Sequence, residues 1–271
     1  MLLDKYQSSS KGEENNVSKE SPLATLSKYL AFFLLLFFVL FLIFLKAAVF
    51  IVPHVSLEKE AVFFGDISRY LNKGEVNLQK TEYIQEIVSS LDLENKNRFP
   101  YKAKVVCSPE ENAFALPGGS ILITSSLLKK MSSENELAFV LAHEMAHIKN
   151  RDVLRKIITQ TPFILAGLFL SDYLDVDSIN QIIRLKYDKD VELLADANAL
   201  KMLNEKYGHV GGAYSFFQKL DEEDTYFLTW VSTHPSTKAR MENIKKITEK
   251  SGFLEKEVKE IREFPQSHDC Q

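Results

Sequence analysis

Apolar residues are concentrated in one stretch of this chain. Residues 30–52, LAFFLLLFFVLFLIFLKAAVFIV, contain a single charge, Lys46, and seven of the 19 Phe. At about 1.5 Å per residue, a helix of this length crosses a bilayer core of roughly 30 Å. It is apolar on every face, unlike a core helix of a globular domain. Residues 28–53 are therefore read as one transmembrane anchor, closed by Pro53. Residues 1–27, where Ser8-Ser9-Ser10 and Asn15-Asn16 stand among charges, are read as a disordered polar tail. A cleaved leader competes with the anchor, and Ala47-Ala48 would suit its cleavage site. The apolar core of such a leader is usually only ~7–15 residues long. Lys11, Lys19 and Lys28 before the segment balance Lys46, Lys59 and Arg69 within or after it, so the positive-inside rule barely votes. A short tail before a large domain favours the domain on the outer, periplasmic-type side.

Beyond the anchor the pattern changes period. Helical spacing marks 61–71 and 82–93, and YKAKVV at 102–107 alternates like a strand. Residues 112–124 read as two short strands around the turn Pro117-Gly118-Gly119. Ser133 and Glu136 form a capping-box signature for a helix running to about residue 150. Further helices are expected near 153–170, 180–206, 236–250 and 253–262. The apolar run Pro162–Leu170 is too short to span and is read as buried, with a membrane-dipping hairpin as the alternative. The fold class is α+β and mostly helical, with a small sheet, and residues 54–271 form one soluble domain.

Composition changes this picture little. Lys plus Arg is 33 against 37 Asp plus Glu, so no bulk positive charge recommends a nucleic-acid partner. Two cysteines cannot frame a disulfide scaffold. Cys107 and Cys270 would pair in an oxidising compartment or stay as two thiols. His54, His209 and His268 lie outside every motif and are read as surface residues.

The chemistry lies in His143-Glu-Met-Ala-His147. Two His at i and i+4 project ~40° apart from one helix face and can hold one Zn²⁺ through neutral imidazole nitrogens. Glu144 sits beside that pair, placed to take a proton from a water and pass it to a leaving amine. A zinc hydrolase needs a third ligand, and Glu192, 45 residues after His147, is the best candidate. Asp196, one helical turn on, can hold the tautomer of a ligand His. By spacing alone, Glu192 and Asp196 are equally well read as an acidic helix face.

His143-Glu-Met-Ala-His147 followed by Glu192-x-x-x-Asp196 resembles the M48 family of gluzincin metallopeptidases, which includes HtpX-type, Ste24-type and Oma1-type membrane proteases. Asn112-Ala-Phe-Ala-Leu-Pro-Gly-Gly119 resembles the family's strand and turn before the zinc helix, and Thr233-His-Pro-Ser236 with Arg240 resembles its late motif. The resemblance implies a zincin-like (gluzincin) fold and one Zn²⁺ per chain, held by His143, His147 and Glu192. It also implies Glu144 as general base and Asp196 as the partner of a ligand. His234 would donate to the oxyanion or hold a loop before Pro235. Arg240 would pair with an acidic group under the site or hold the last helix. The segment Asn112, Ala113, Phe114 and Ala115 would be an edge strand to which an extended substrate adds, or an ordinary hairpin. One departure stands before the ligand Glu, where Asp188-Lys189 replaces the relatives' frequent Ser-Arg. The expected partners are unfolded or membrane polypeptides, with the bilayer met through residues 30–52, and quality control is the expected task. A zinc-fold chaperone and a short-peptide-trimming peptidase are the alternatives.

Overall fold

The computed structural model describes residues 21–65, 78–93, 99, 101–161, 176–222, 228–235 and 237–264. The chain forms two compact units, divided between Lys46 and Ala47.

Helix α1, Pro22–Ile51, is the long apolar element, and none of its residues is buried. Among the described residues it is the one helix long and apolar enough to cross a membrane. It starts six residues before the sequence-based boundary. Ser21 accepts a hydrogen bond from the Ala24 N–H through Oγ at 3.2 Å, and Pro22 suits the first helical position. Residues 22–27, read as tail, are thus helical, and residues 1–20 lie outside the described set.

After α1 come a short 3-10 turn, Val52–His54, and helix α2, Leu57–Phe64. Helix α3, Leu78–Leu91, buries Tyr83, Ile84, Ile87, Val88 and Leu91 at helical spacing. Three strands follow: β1 Lys102–Val106, β2 Ala113–Leu116 and β3 Ser120–Thr124. They lie in the order β1-β3-β2. β1 runs parallel to β3 with Lys102 opposite Ser120, and β2 runs antiparallel to β3 with Ala113 opposite Ile123.

The two edges of this sheet differ. The outer edge of β1 is covered by α3 side chains. Gln85 Oε1 accepts from the Ala103 N–H at 2.8 Å, and Thr81 Oγ1 accepts from the Val105 N–H at 3.1 Å. At β2, Thr124 donates its N–H to the Asn112 carbonyl at 2.9 Å. Antiparallel alternation then turns the main-chain groups of Phe114 and Leu116 toward β3 and those of Ala113 and Ala115 toward the far edge, which no described strand pairs and which is buried.

Helix α4, Ser125–Lys130, is capped by Thr124 and has no counterpart among the expected elements. Helix α5, Glu134–Lys149, is the centre of the unit, with all but its last residue buried. Ser133 Oγ caps it through the Glu136 N–H at 3.1 Å, while Glu136 returns its carboxylate to the N–H of Ser132 at 2.6 Å. The return bond of the capping box is thus shifted by one residue, and Lys219 Nζ also holds Glu136 at 2.8 Å.

Around α5 lie α6 Asp152–Gln160, α7 Val176–Ile183, α8 Lys189–Tyr207, α9 Ala213–Glu222, α10 Leu228–Thr233 and α11 Thr237–Ser251. α9 and α10 also go beyond the expected elements. The helix expected over 180–206 is broken between Ile183 and Lys189. Lys156 Nζ takes the Leu185 carbonyl, Gln160 Nε2 takes that of Lys186, and the Tyr187 N–H donates to Thr233. The expected helix at 253–262 is also absent. The segment is extended instead, because its main chain serves other elements. The Lys259 carbonyl accepts from the Glu134 N–H at 2.8 Å, at the exposed-donor end of α5, and Leu254 does the same for Val210. Pro162–Leu170 falls outside the described residues.

Candidate metal centre

The i, i+4 spacing on α5 brings the Nε2 atoms of His143 and His147 to 3.0 Å from each other. α8 packs on α5 and presents Glu192 and Asp196 from adjacent turns of one face. Glu192 Oε1 is 3.4 Å from His147 Nε2, and its Oε2 is 3.6 Å from His143 Nε2. His234, just past α10, places Nδ1 3.0 Å from Glu192 Oε1 and 3.3 Å from His143 Nε2. One donor atom from each of these four residues lies within 4.8 Å of all the others, and all four side chains are buried.

The outward nitrogens explain why this cluster fits a cation. His143 Nδ1 stands 2.9 Å from Asp196 Oδ1, and His147 Nδ1 stands 3.1 Å from Asp152 Oδ2. A carboxylate at Nδ1 keeps the proton there and leaves the Nε2 lone pair facing inward. Two such lone pairs and a carboxylate oxygen at these distances repel unless a positive ion sits among them. Imidazole with carboxylate is the donor set of a borderline divalent metal.

Arg240 grips Asp196 with two parallel hydrogen bonds, Nε to Oδ2 at 2.7 Å and Nη2 to Oδ1 at 2.6 Å. Its Nη1 lies 2.5 Å from Glu192 Oε2. The guanidinium carbon lies 4.8 Å from the ring centroids of both Phe217 and Trp230. Arg240 therefore sits under the site, joining Glu192 to Asp196.

Glu144 is different in kind. Neither carboxylate oxygen makes a hydrogen bond of good geometry. His234 Nε2 is 3.6 Å from its Oε1, and the main chain of Ala115 on the far edge of β2 faces it. Burial pushes the Glu144 carboxyl above its ordinary range. Burial pulls His234 down to about 4 and also lowers His143. In His147 burial works the same way, but Asp152 and Glu192 lift it to about 9. Burial alone would raise Glu192, yet His234, Arg240 and His143 hold it far below the carboxylate range.

Three residues at the site carry no recognisable signal in the sequence. Asp152 lies five residues past His147 and meets it only because the chain reverses at Arg151 (φ 63°). Tyr187 stacks on His147 with centroids 3.8 Å apart, and Trp230 stacks on His234 at 4.7 Å. Each ring thus packs on one imidazole of the cluster, and their segments are joined by the bond from the Tyr187 N–H to the Thr233 carbonyl. Beside β2 lies a cavity of about 350 Å³ lined by Asn112, Phe114, Asn180, Arg184 and Thr233 among others. His209, read as a surface residue, is instead 7% exposed, with Nδ1 accepting from the Gly211 N–H. His268 and Cys270 lie outside the described residues.

Comparison with known proteins agrees with this geometry. The family model described as Peptidase family M48 matches residues 76–248. A mitochondrial metalloendopeptidase OMA1 of Schizosaccharomyces pombe is 30% identical over 153 residues, 53% of this chain and 45% of that protein. A protease HtpX homolog of Helicobacter pylori is 30% identical over 116 residues, 41% of this chain and 37% of its own length. A beta-barrel assembly-enhancing protease of Yersinia pestis is 37% identical over 76 residues, 28% of this chain and 16% of its own. The chain thus spans less than half the length of each of these relatives. The matched region holds the HExxH helix, Glu192, Asp196, His234 and Arg240, and the chain belongs to peptidase family M48.

Proposed function

We propose that the chain is a membrane-anchored zinc endopeptidase that hydrolyses peptide bonds in unfolded or membrane polypeptides, as a quality-control protease. The observation that carries this reading is the pairing of inward Nε2 atoms, their outer nitrogens held by Asp196 and Asp152, with the Glu144 carboxylate, which makes no hydrogen bond of good geometry, alongside. His143, His147 and Glu192 would hold the ion. Zinc in that position supplies Lewis acidity, lowering the pKa of a bound water toward about 7 and polarising the scissile carbonyl.

The other steps belong to the protein. Glu144, buried and shifted upward, accepts the proton of the attacking water and returns it to the leaving amine. His234, whose Nδ1 bonds Glu192 Oε1 at 3.0 Å in this structure, would donate from Nε2 to the oxygen that becomes negative once Glu192 is engaged by the ion and the ring proton sits on Nε2, 3.6 Å from Glu144 Oε1. Asp196 and Asp152 fix the ligand tautomers, and Arg240 fixes Asp196. The unpaired edge of β2 at Ala113 and Ala115, buried in this structure, would offer main-chain partners to an extended substrate once uncovered, which gives affinity with little side-chain choice. α1 would hold the domain at a bilayer, with the domain on the outer side.

The test couples metal content to turnover on an unfolded polypeptide. Purified wild type should contain one zinc per chain and cleave. Glu144→Gln should retain zinc and lose about 10²–10⁴ in rate. A Glu144→Gln variant that still cleaves at the wild-type rate would end this reading. His234→Ala should also keep zinc while losing about 10²–10³ in rate. Loss of zinc there would make His234 a ligand instead.

A further inference from the structure

Helix α2 lies outside the region matched by the family model, yet it touches two elements of the site. Its single buried side chain is a carboxylate, Glu60, 4% exposed. Glu60 Oε1 accepts from the Gly118 N–H at 3.0 Å, in the turn that joins β2 to β3. Its Oε2 accepts from Arg151 Nη1 at 3.3 Å. The rest of the Arg151 fork, Nε and Nη2, donates to the Val55 carbonyl at 3.0 and 2.7 Å.

Both contacts fall where the backbone is unusual. Arg151 is the only described non-glycine residue at positive φ, 63°. A side-chain-bearing residue there costs about 1–2 kcal/mol. That reversal sets Asp152 at the head of α6, within reach of His147 Nδ1. Gly118 has φ 79°, and a Cβ there would come 3.0 Å from the Gly65 carbonyl and 3.4 Å from Phe64 Cβ. A helix that needed only to pack would bury an apolar side chain, since a buried carboxylate costs several kcal/mol unless its partners are in place.

We propose that Glu60 is a positioning residue through which the segment following the apolar helix sets both walls of the site. Through Gly118 it places strand β2. Through Arg151 and Asp152 it places the imidazole of His147. The proposal rests on the metallopeptidase reading above.

The test uses the full chain in detergent or vesicles. It compares Glu60→Gln, Arg151→Lys, Arg151→Met and the double variant Glu60→Gln/Arg151→Met. Zinc retention is measured against a graded chelator, kcat and KM on an unfolded polypeptide, and thermal midpoint alongside. Glu60→Gln should weaken zinc about 10-fold, lower kcat and raise KM, as losses behind a ligand His typically cost 10–100-fold. Arg151→Lys should recover part of what Arg151→Met loses. The double variant should lose less than the product of the two single effects, since both break one link. Variants whose melting point falls while zinc affinity, kcat and KM of the folded protein stay at wild-type values would overturn the proposal. Independent, multiplying effects would do the same. A wild type that binds zinc but cleaves no polypeptide would sink the peptidase reading alone, and the zinc comparison would still decide for or against Glu60.

Discussion

Arg240 and Asp196 make a two-pronged buried ion pair at the site, with both side chains fully enclosed. Removing one partner strands the other. Arg240→Met should cost about 3–5 kcal/mol and weaken metal retention, measured by chemical denaturation and by chelator competition. Asp196→Asn, which keeps the shape, should be milder in stability yet still weaken metal retention, because His143 loses the acceptor that fixes its tautomer. Lys156 offers a test by pH. It lies against Tyr187 and bonds the Leu185 carbonyl, and burial drags it down to about 7, against the pull of Glu192, Glu144, Asp152 and Asp188. Its folded value is thus below its unfolded one. Between about pH 7 and 10.5 the unfolded chain carries a proton that the folded chain lacks, so stability rises with pH there. Lys156→Met should remove a slope of about 1 kcal/mol per pH unit between pH 7.5 and 9.5, read from denaturation midpoints. An unchanged slope would show that Lys156 is solvated.

At the scale of elements, α5 is held at both ends. Its start is held by Ser133, by Asn135 and by the extended C-terminal segment. Its end is held by the Arg151 reversal. Two glycines near its start separate strain from space. Gly208 closes α8 at φ 71°, and a Cβ added there would meet nothing within 4 Å. Gly208→Ala should therefore cost only the left-handed strain, about 1 kcal/mol. Gly212, at φ 96°, would bring a Cβ to 2.8 Å from the Glu136 main-chain nitrogen and from Asn135 Cβ. Gly212→Ala should cost at least about 1–2 kcal/mol more and loosen the start of α5, visible as faster amide exchange over 134–137. Equal midpoints for the two variants would contradict this. The helices at 134–149 and 237–251 are legible in the sequence because each carries its own apolar stripe or cap. The break before Lys189 and the extended segment after Gly252 are not, because partners distant in sequence supply the hydrogen bonds that decide them.

At the scale of the whole molecule, the protein joins a helix with no buried residue to a unit whose ionisable centre is wholly enclosed. The exposed faces of Phe32, Phe33, Phe37 and Phe38 around α1 need a cover other than water. The chain should stay in the membrane fraction at high salt and alkaline pH and leave it only with detergent. Release by salt would remove the anchor from the proposed function. On the proposed orientation, protease added outside intact vesicles or cells should cleave the unit that carries His143 and His147, and full protection would reverse that orientation. Read alone, the sequence determined the apolar span, the helix that carries His143, Glu144 and His147, and the strand–turn–strand at 113–124. These rest on periodicity, capping and turn chemistry within a few residues. Only the tertiary structure decided which nitrogen of each imidazole faces inward, because Asp196 and Asp152 arrive from other helices. It alone stacked Tyr187 on His147 and Trp230 on His234 and bound Glu60 to Gly118 and Arg151. The physical reason is range: local pattern sets which face of an element is apolar, whereas hydrogen-bond satisfaction of buried charge is settled by partners far away along the chain, as Glu60 and Arg151 are, 91 residues apart.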